Sequence, residues 1–321
     1  MARFRMLYQR AWKPQQDYFW ERAKMKDRIR RSRLYMPANN PYLSQNAFLF
    51  GADCIILDLE DSVPPSEKFS ARILLKHILL NVDFGESERA VRINPLSSPF
   101  GRKDLEEIVP AEPDMIVIPK AESAEDVRIV DEIVNEIKLK HGIEKDIYYM
   151  AIIESAKGAL NSYDIASASE KMAVLAFGAE DFTRDIGAAR SREGKETFVA
   201  RSLVVMGAKA AGIQASDTVW SDIEDVDGLR ASTEEAKALG FDGKGAIHPS
   251  QVEIINEVFT PTAEEIEYAK KVIEAFEEAK RKGSAVVALG RKMIDPPVVK
   301  RAERIIRIAQ KLGLLENDVK R

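Results

Sequence analysis

Ala151-Ile-Ile-Glu-Ser-Ala-Lys-Gly158 and Ala176-Phe-Gly-Ala-Glu-Asp-Phe182 share one pattern that points to a fold class. Each ends a short apolar run on a carboxylate and passes into small residues. Residues 148–153 have the length and β-branched content of a buried strand, and Glu154 falls where that strand stops. Residues 173–177 repeat the pattern and deliver Glu180 and Asp181. Strand, acid, glycine-containing turn and helix, in that order, is how an α/β barrel sets side chains on its catalytic rim. Carboxylates on adjacent strand ends suit a hard divalent ion such as Mg²⁺, which takes few protein oxygens and leaves positions for substrate. Read blandly, the same acids are helix N-caps.

Working outward, the alternation continues in both directions. Residues 34–36 form a short strand closed by Pro37, and Asn39, Asn40 and Pro41 open a helix running to Phe50. Residues 54–59 are an apolar strand interrupted only by Asp58 and ending in Glu60 and Asp61, after which Pro64 and Pro65 open a helix to Leu80. Strands follow at 90–93 and 115–118, with a helix over 124–140. Beyond the central pair come a helix over 197–211, a short strand at 218–220, a helix over 226–239 and a last strand at 245–247. Eight strands separated mostly by helices predict a closed (β/α)8 TIM barrel, with an open doubly wound sheet as the alternative. No glycine-rich dinucleotide fingerprint and no Walker phosphate loop follows any strand, which counts against a nucleotide enzyme. Residues 263–282 and 298–312 read as amphipathic helices of a C-terminal helical extension. The segment 283–297 between them has little helical pattern.

Composition sets the outer bounds. The 321 residues are 45% hydrophobic and 31% charged, enough for one large α/β domain with an appendage. Lys and Arg (48) nearly balance Asp and Glu (52), so net charge argues neither for nucleic acid nor for an anionic membrane surface. The single cysteine, Cys54, sits in an apolar run and excludes a disulfide framework. No apolar run reaches the roughly 18 residues that cross a bilayer. The basic, aromatic start lacks a secretory signal's apolar core, so the expected location is cytoplasmic.

In a barrel, the polar residues at the strand ends carry the chemistry. Here they are Glu60, Asp61, Arg92, Lys120, Glu154, Asp181 and His248. Arg92 has a planar fork suited to a carboxylate or a developing oxyanion, or to a structural ion pair with Glu60 or Asp61. Lys120 can polarise a carbonyl or simply be solvated. From these residues alone the expectation is an Mg²⁺-dependent barrel enzyme on an anionic substrate. Aldol-type cleavage, enolisation and phosphotransfer all remain open.

Arg31-Ser-Arg-Leu-Tyr-Met-Pro37, Ile56-Leu-Asp-Leu-Glu-Asp-Ser62, Val91-Arg-Ile-Asn-Pro95, Ile118-Pro-Lys120, Ala151-Ile-Ile-Glu154, Phe177-Gly-Ala-Glu-Asp181 and Gly240-Phe-Asp-Gly-Lys244 occur in one order. As a set they resemble the citrate lyase β-subunit family, within the larger HpcH/HpaI aldolase and malyl-CoA lyase group. Gly187-Ala-Ala-Arg-Ser-Arg-Glu-Gly194 and Ala211-Gly-Ile-Gln-Ala-Ser-Asp-Thr218 resemble the citrate lyase branch in particular. The similarity runs from about Arg31 to Ala309.

The resemblance implies an Mg²⁺-dependent carbon–carbon lyase of the citryl-CoA lyase type. Such an enzyme cleaves a citryl thioester to oxaloacetate and an acetyl thioester by a retro-Claisen reaction, the acyl group carried on CoA or an acyl carrier protein. Malyl-CoA and citramalyl-CoA are the alternative substrates, and a scaffold subunit is the alternative role. By the same resemblance Glu154 and Asp181 are the metal ligands, and Arg92 faces the substrate carbonyl or enolate. Glu60 and Asp61 support the site, and Asp295 of Lys292-Met-Ile-Asp295 reaches a neighbouring subunit's site in a homo-oligomer, often a trimer. Lys120 and the arginines Arg31 and Arg33 are candidates for the CoA thioester. Partner α and γ lyase subunits are implied too. The expected organisation is a basic extension over 1–30, a catalytic barrel over 31–260 and a helical segment over 261–321 that meets the neighbouring subunit.

Overall fold

The computed structural model describes residues 28–281, 286–290 and 292–315. Most of the basic extension, 1–27, therefore lies outside the described residues. Eight parallel strands close on themselves: β1 (Ser32–Pro37), β2 (Cys54–Asp58), β3 (Glu88–Arg92), β4 (Met115–Ile118), β5 (Tyr148–Ile153), β6 (Met172–Phe177), β7 (Gln214–Asp217) and β8 (Gly243–Ala246). Each pairs with the next, and β8 returns to β1 with Gly245 opposite Arg33. Between and after them run α1 (Pro41–Gln45), α2 (Lys68–Asn81), α3 (Gly101–Ile108), α4 (Ala124–His141), α5 (Ala156–Leu160), α6 (Ser162–Ala166), α7 (Ala179–Asp185), α8 (Phe198–Ala210), α9 (Val226–Leu239) and α10 (Ser250–Phe259). The closed (β/α)8 barrel is the expected fold, and the open sheet is set aside.

The helices start and stop where the sequence carries the signals. Ser123 and Asp126 form a reciprocal capping box at the start of α4, and Gly142 ends it in the left-handed region at φ 68°. Inward-facing side chains of alternate strand positions, among them Ile56, Val117, Met150, Ile152 and Val174, fill the barrel with apolar contacts. Each such fully buried aliphatic side chain contributes about 1.5–3 kcal/mol.

Four readings are corrected. The seventh strand is Gln214–Asp217, not 218–220, and the eighth is Gly243–Ala246, not 245–247. Both carry buried polar residues that a hydropathy pattern passes over: Asp217 accepts from Arg201 Nε (2.9 Å) and from Lys244 Nζ (2.9 Å). The helix expected to reach Phe50 stops at Gln45, where the Asn46 side chain donates to the Tyr42 carbonyl (2.8 Å), and the chain continues as a short 3₁₀ turn. Arg33 points into the barrel, 1% exposed, with none of its three guanidinium nitrogens hydrogen-bonded. Burial lowers its pKa. That is no place to meet a CoA phosphate.

The chain divides into two units at Ile255 and Asn256. The second contains α11 (Ala263–Arg281) and α12 (Pro296–Lys311), with an antiparallel hairpin of β9 (Val287–Leu289) and β10 (Lys292–Ile294) within the segment that showed little helical pattern. Ala269, Val272, Ile294, Val299 and Ala302 form its core. Among the described residues no helix is long and apolar enough to cross a membrane.

Closure of the barrel at β8 depends on the absence of a side chain at Gly243. A Cβ there would lie 2.1 Å from the Arg30 carbonyl oxygen and 2.7 Å from Arg33 Nη1. Gly243→Ala is expected to cost at least about 2 kcal/mol in urea unfolding, since backbone cannot retreat as a flexible side chain can. A loss below about 0.5 kcal/mol would contradict this close packing.

Candidate active site

The carboxyl ends of the strands enclose a cavity of about 450 Å³, lined by Tyr35, Asp58, Asp61, Arg92, Glu154, Gly178, Glu180, Asp181 and Thr218 together with apolar neighbours. Its fixed point is a pair that the sequence reading did not single out. Arg92, the last residue of β3, donates from Nε and Nη2 to the two oxygens of Asp58, the last residue of β2, both at 2.7 Å. The register sets these two residues directly opposite each other. Asp58 also accepts from the backbone N–H groups of Glu60 (2.9 Å) and Ser62 (3.1 Å), which shapes the turn carrying the acidic pair. Burial pushes the Asp58 carboxyl up, but the hydrogen bonds and charge of Arg92 outweigh it and hold the pKa below the ordinary value.

Glu60 is buried, 2.7 Å from Lys120 Nζ and 2.8 Å from Arg92 Nη1, yet its Oε2 has no aligned hydrogen-bond donor. Burial raises its pKa, opposed by Arg92 and Lys120. Asp61 is more exposed and lies 3.5 Å from Arg92 Nη1. Lys120 itself adopts φ 51°, the left-handed region that costs most side chains energy, and its amine is engaged by Glu60. The structure thus ties Lys120 to the acidic turn.

Glu154 follows β5 and is 7% exposed, and its Oε2 is buried without a partner. Gly178, at the start of α7, makes room for it: a Cβ there would sit 2.7 Å from Glu154 Cγ. Burial first, then the negative charges of Glu60 and Asp181, raise the Glu154 pKa to about 8. Asp181 lies in the first turn of α7 and its Oδ1 is 2.5 Å from Arg184. The α7 N-terminus is anchored by Ala179 N–H, which donates to Thr218 Oγ1 at 3.1 Å.

These residues fit a divalent ion. An orphaned buried carboxylate oxygen, a second carboxylate lining the same cavity and an excess of negative charge are the donor set of a hard cation. Among the described residues no group of three or more acidic, His or Cys side chains forms a complete metal cage. A site with two protein carboxylates, completed by water and substrate oxygens, is the arrangement Mg²⁺ tolerates.

Within the barrel unit, Arg31 and His248 do not line the cavity. Arg31 precedes β1, at the opposite end of the strands, and its Nε and Nη2 donate to Asp53 at 2.9 and 2.8 Å. Asp295 belongs to the second unit, where its side chain caps α12 by accepting from Val298 N–H at 3.2 Å. His248 is exposed beside Ser250, Nδ1 to Oγ 2.7 Å. The sequence reading missed Asp58 and Tyr35. An acid inside the apolar run 54–59 was the available signal for Asp58. For Tyr35 only its inward parity on β1 pointed to the cavity.

A closed parallel barrel with carboxylates and an arginine at the carboxyl ends of its strands has the build of a metal-dependent barrel enzyme. The chain belongs to the HpcH/HpaI aldolase/citrate lyase family, which it matches over residues 31–249. Citrate lyase subunit beta of Leuconostoc mesenteroides subsp. cremoris is 41% identical over 293 residues, 91% of this chain and 97% of that one. Mitochondrial citramalyl-CoA lyase of Mus musculus is 34% identical across 87% of this chain and 86% of its own. Among solved structures, protein CitE of Mycobacterium tuberculosis in complex with magnesium, acetoacetate and coenzyme A is similar with a TM-score of 0.72 at 31% identity. That match covers 88% of this chain and 99% of the other.

The Glu154 shift has a consequence for stability in buffer stripped of divalent ions. Its carboxyl is raised from 4.5 to about 8, so the folded chain keeps a proton that the unfolded chain releases across that window. Stability contributed by the neutral carboxyl is therefore present below the lower value and declines as pH rises through the upper one. Denaturation of wild type and Glu154→Gln across the window should show the wild type losing more stability with rising pH. Equal slopes would contradict the buried, unpaired state of Glu154.

Proposed function

We propose that this chain is an Mg²⁺-dependent carbon–carbon lyase that cleaves a citryl thioester, carried on CoA or an acyl carrier protein, to oxaloacetate and an acetyl thioester. The observation that carries the reading is the convergence of Glu154, with its orphaned oxygen, Asp181 and the clamped Arg92 on one cavity. Membership of a family whose similar members include citrate lyase β subunits supports the choice of substrate.

Glu154 and Asp181 would hold the ion, which when bound supplies a Lewis acid for the oxygens of the 2-oxo acid. The chain's own residues do the rest. An acidic side chain of the mouth takes the proton from the acyl hydroxyl as the carbon–carbon bond opens. Arg92, kept cationic and immobile by Asp58, stabilises the negative charge that moves onto the thioester. Lys120 and Glu60 hold the acidic turn in place behind it. Asp295 returns a proton to the acetyl carbon, working in a neighbouring copy of the chain. α and γ lyase subunits are the partners this assignment carries with it.

Citryl-CoA, malyl-CoA and citramalyl-CoA offered side by side with Mg²⁺ test the reading through the 2-oxo acid released. Oxaloacetate from citryl-CoA is the expected product. Preference for citramalyl-CoA, the substrate named for the mouse relative, would move the substrate and keep the chemistry. A shared site also predicts complementation: inactive Asp295→Ala and inactive Glu154→Ala chains should recover activity when assembled together. Demonstrated mixed oligomers with no recovery would remove Asp295 from the reaction.

A further inference from the structure

Arg92 is a compromised oxyanion partner by itself. Its Nε and Nη2 are committed to Asp58, and Nη1 lies against Glu60 and Asp61. Few of the five N–H bonds of a guanidinium stay available for substrate, and its charge is already faced by three carboxylates. Sites that stabilise a developing oxyanion commonly aim more than one donor at it.

Tyr35 faces the same space. In the β1–β2 register it stands opposite Ile56, with its ring packed on the barrel interior, and it lines the cavity. The Arg92 guanidinium carbon lies 5.3 Å from the ring centroid, so the clamp on Arg92 also fixes the ring. Gly245 borders the ring: a Cβ there would meet Val219 Cγ1 at 2.8 Å and stand in ordinary contact with Tyr35 Cε2 at 3.4 Å. No described residue hydrogen-bonds the phenol oxygen. Burial, with the nearby charges of Glu154 and Asp58, raises the phenol pKa against the opposing pull of Arg92, so the group is a neutral donor in ordinary buffers.

We propose that the Tyr35 hydroxyl is the second donor, beside Arg92, for the thioester oxygen that becomes negative as the carbon–carbon bond breaks. This rests on the lyase reading above. In that step the acyl hydroxyl gives its proton to a carboxylate and the carbon–carbon bond opens. The carbinol carbon becomes the carbonyl of the 2-oxo acid, and the released electron pair becomes the enolate of the acetyl thioester. Tyr35 keeps its proton throughout. Its hydrogen bond strengthens as charge grows on the oxygen, and the enolate afterwards takes a proton at carbon from another acid. A contact stronger in the transition state than in the ground state appears in kcat and leaves KM nearly unchanged.

Tyr35→Phe keeps the ring against Arg92 and removes the hydroxyl alone. On whichever thioester the wild type cleaves, kcat should fall about 10- to 100-fold, with KM within about threefold and the thermal midpoint unchanged. Deuterium exchange into the acetyl methyl of acetyl-CoA, which follows enolisation without cleavage, should fall in parallel. Unchanged kcat, or a raised KM with kcat intact, overturns the assignment. A wild type that cleaves none of the three thioesters defeats the lyase reading instead, and exchange then decides Tyr35 by itself. Exchange present in wild type and lost in Tyr35→Phe upholds the donor. Exchange equal in both, or absent from both, overturns it.

Discussion

The two-pronged contact between Arg92 and Asp58 is the constraint on which the mouth of this barrel depends. Both residues end neighbouring strands, so sheet register alone sets them face to face. Taking two charges out of water is costly, and a buried pair repays that cost only with good geometry and satisfied remaining atoms. Here Asp58 has both: two aligned bonds from Arg92 and two from the backbone of the following turn. The pair is better understood as a fixture than as a source of stability. It sets the turn that carries Glu60 and Asp61, and Lys68 Nζ secures the same turn from behind through the carbonyls of Leu59 (2.6 Å) and Glu60 (2.5 Å). It also sets the guanidinium whose carbon lies 5.3 Å from the Tyr35 ring centroid.

What remains is an imbalance of charge. Arg92 and Lys120, with Arg184 at Asp181, stand against Asp58, Glu60, Asp61, Glu154 and Asp181, and Glu154 Oε2 is left without a donor. Burial first, and then the negative charges of Glu60 and Asp181, raise the Glu154 carboxyl to about 8. The same imbalance that disfavours the ionised carboxylate favours a cation beside it. Perturbed carboxyl groups and a metal preference are two expressions of one arrangement.

Much of this was legible in the chain. The runs 115–118 and 148–153 are continuous and apolar, and the helix over 226–239 carries its capping aspartate before it and a glycine after it, so each matches its element in the structure. Glu154 and Asp181 were visible because each follows closely on an apolar run, Glu154 just past β5 and Asp181 in the first turn of the helix after β6. The illegible parts of the barrel wall share one cause, charge buried where hydropathy expects none. Strand β7 reads as Gln-Ala-Ser-Asp and β8 contains a lysine, because Asp217 and Glu235 together offset Arg201 and Lys244. Asp58 looked like an interruption for the same reason, since its partner is 34 residues away. The hairpin β9–β10 was hidden differently: three-residue strands are too short to show a period.

Calorimetric titration of the metal-free protein with Mg²⁺ near neutral pH, in two buffers of different ionisation enthalpy, reads the pairing of the ion with Glu154 and Asp181. A cation that draws Glu154 into its charged form must release the proton the carboxyl was holding. Saturable binding of a single ion per chain, with a heat that differs between the buffers by a proton's release and vanishes in both Glu154→Ala and Asp181→Ala, is the predicted result. Binding that survives both substitutions, or no binding at all, would contradict it.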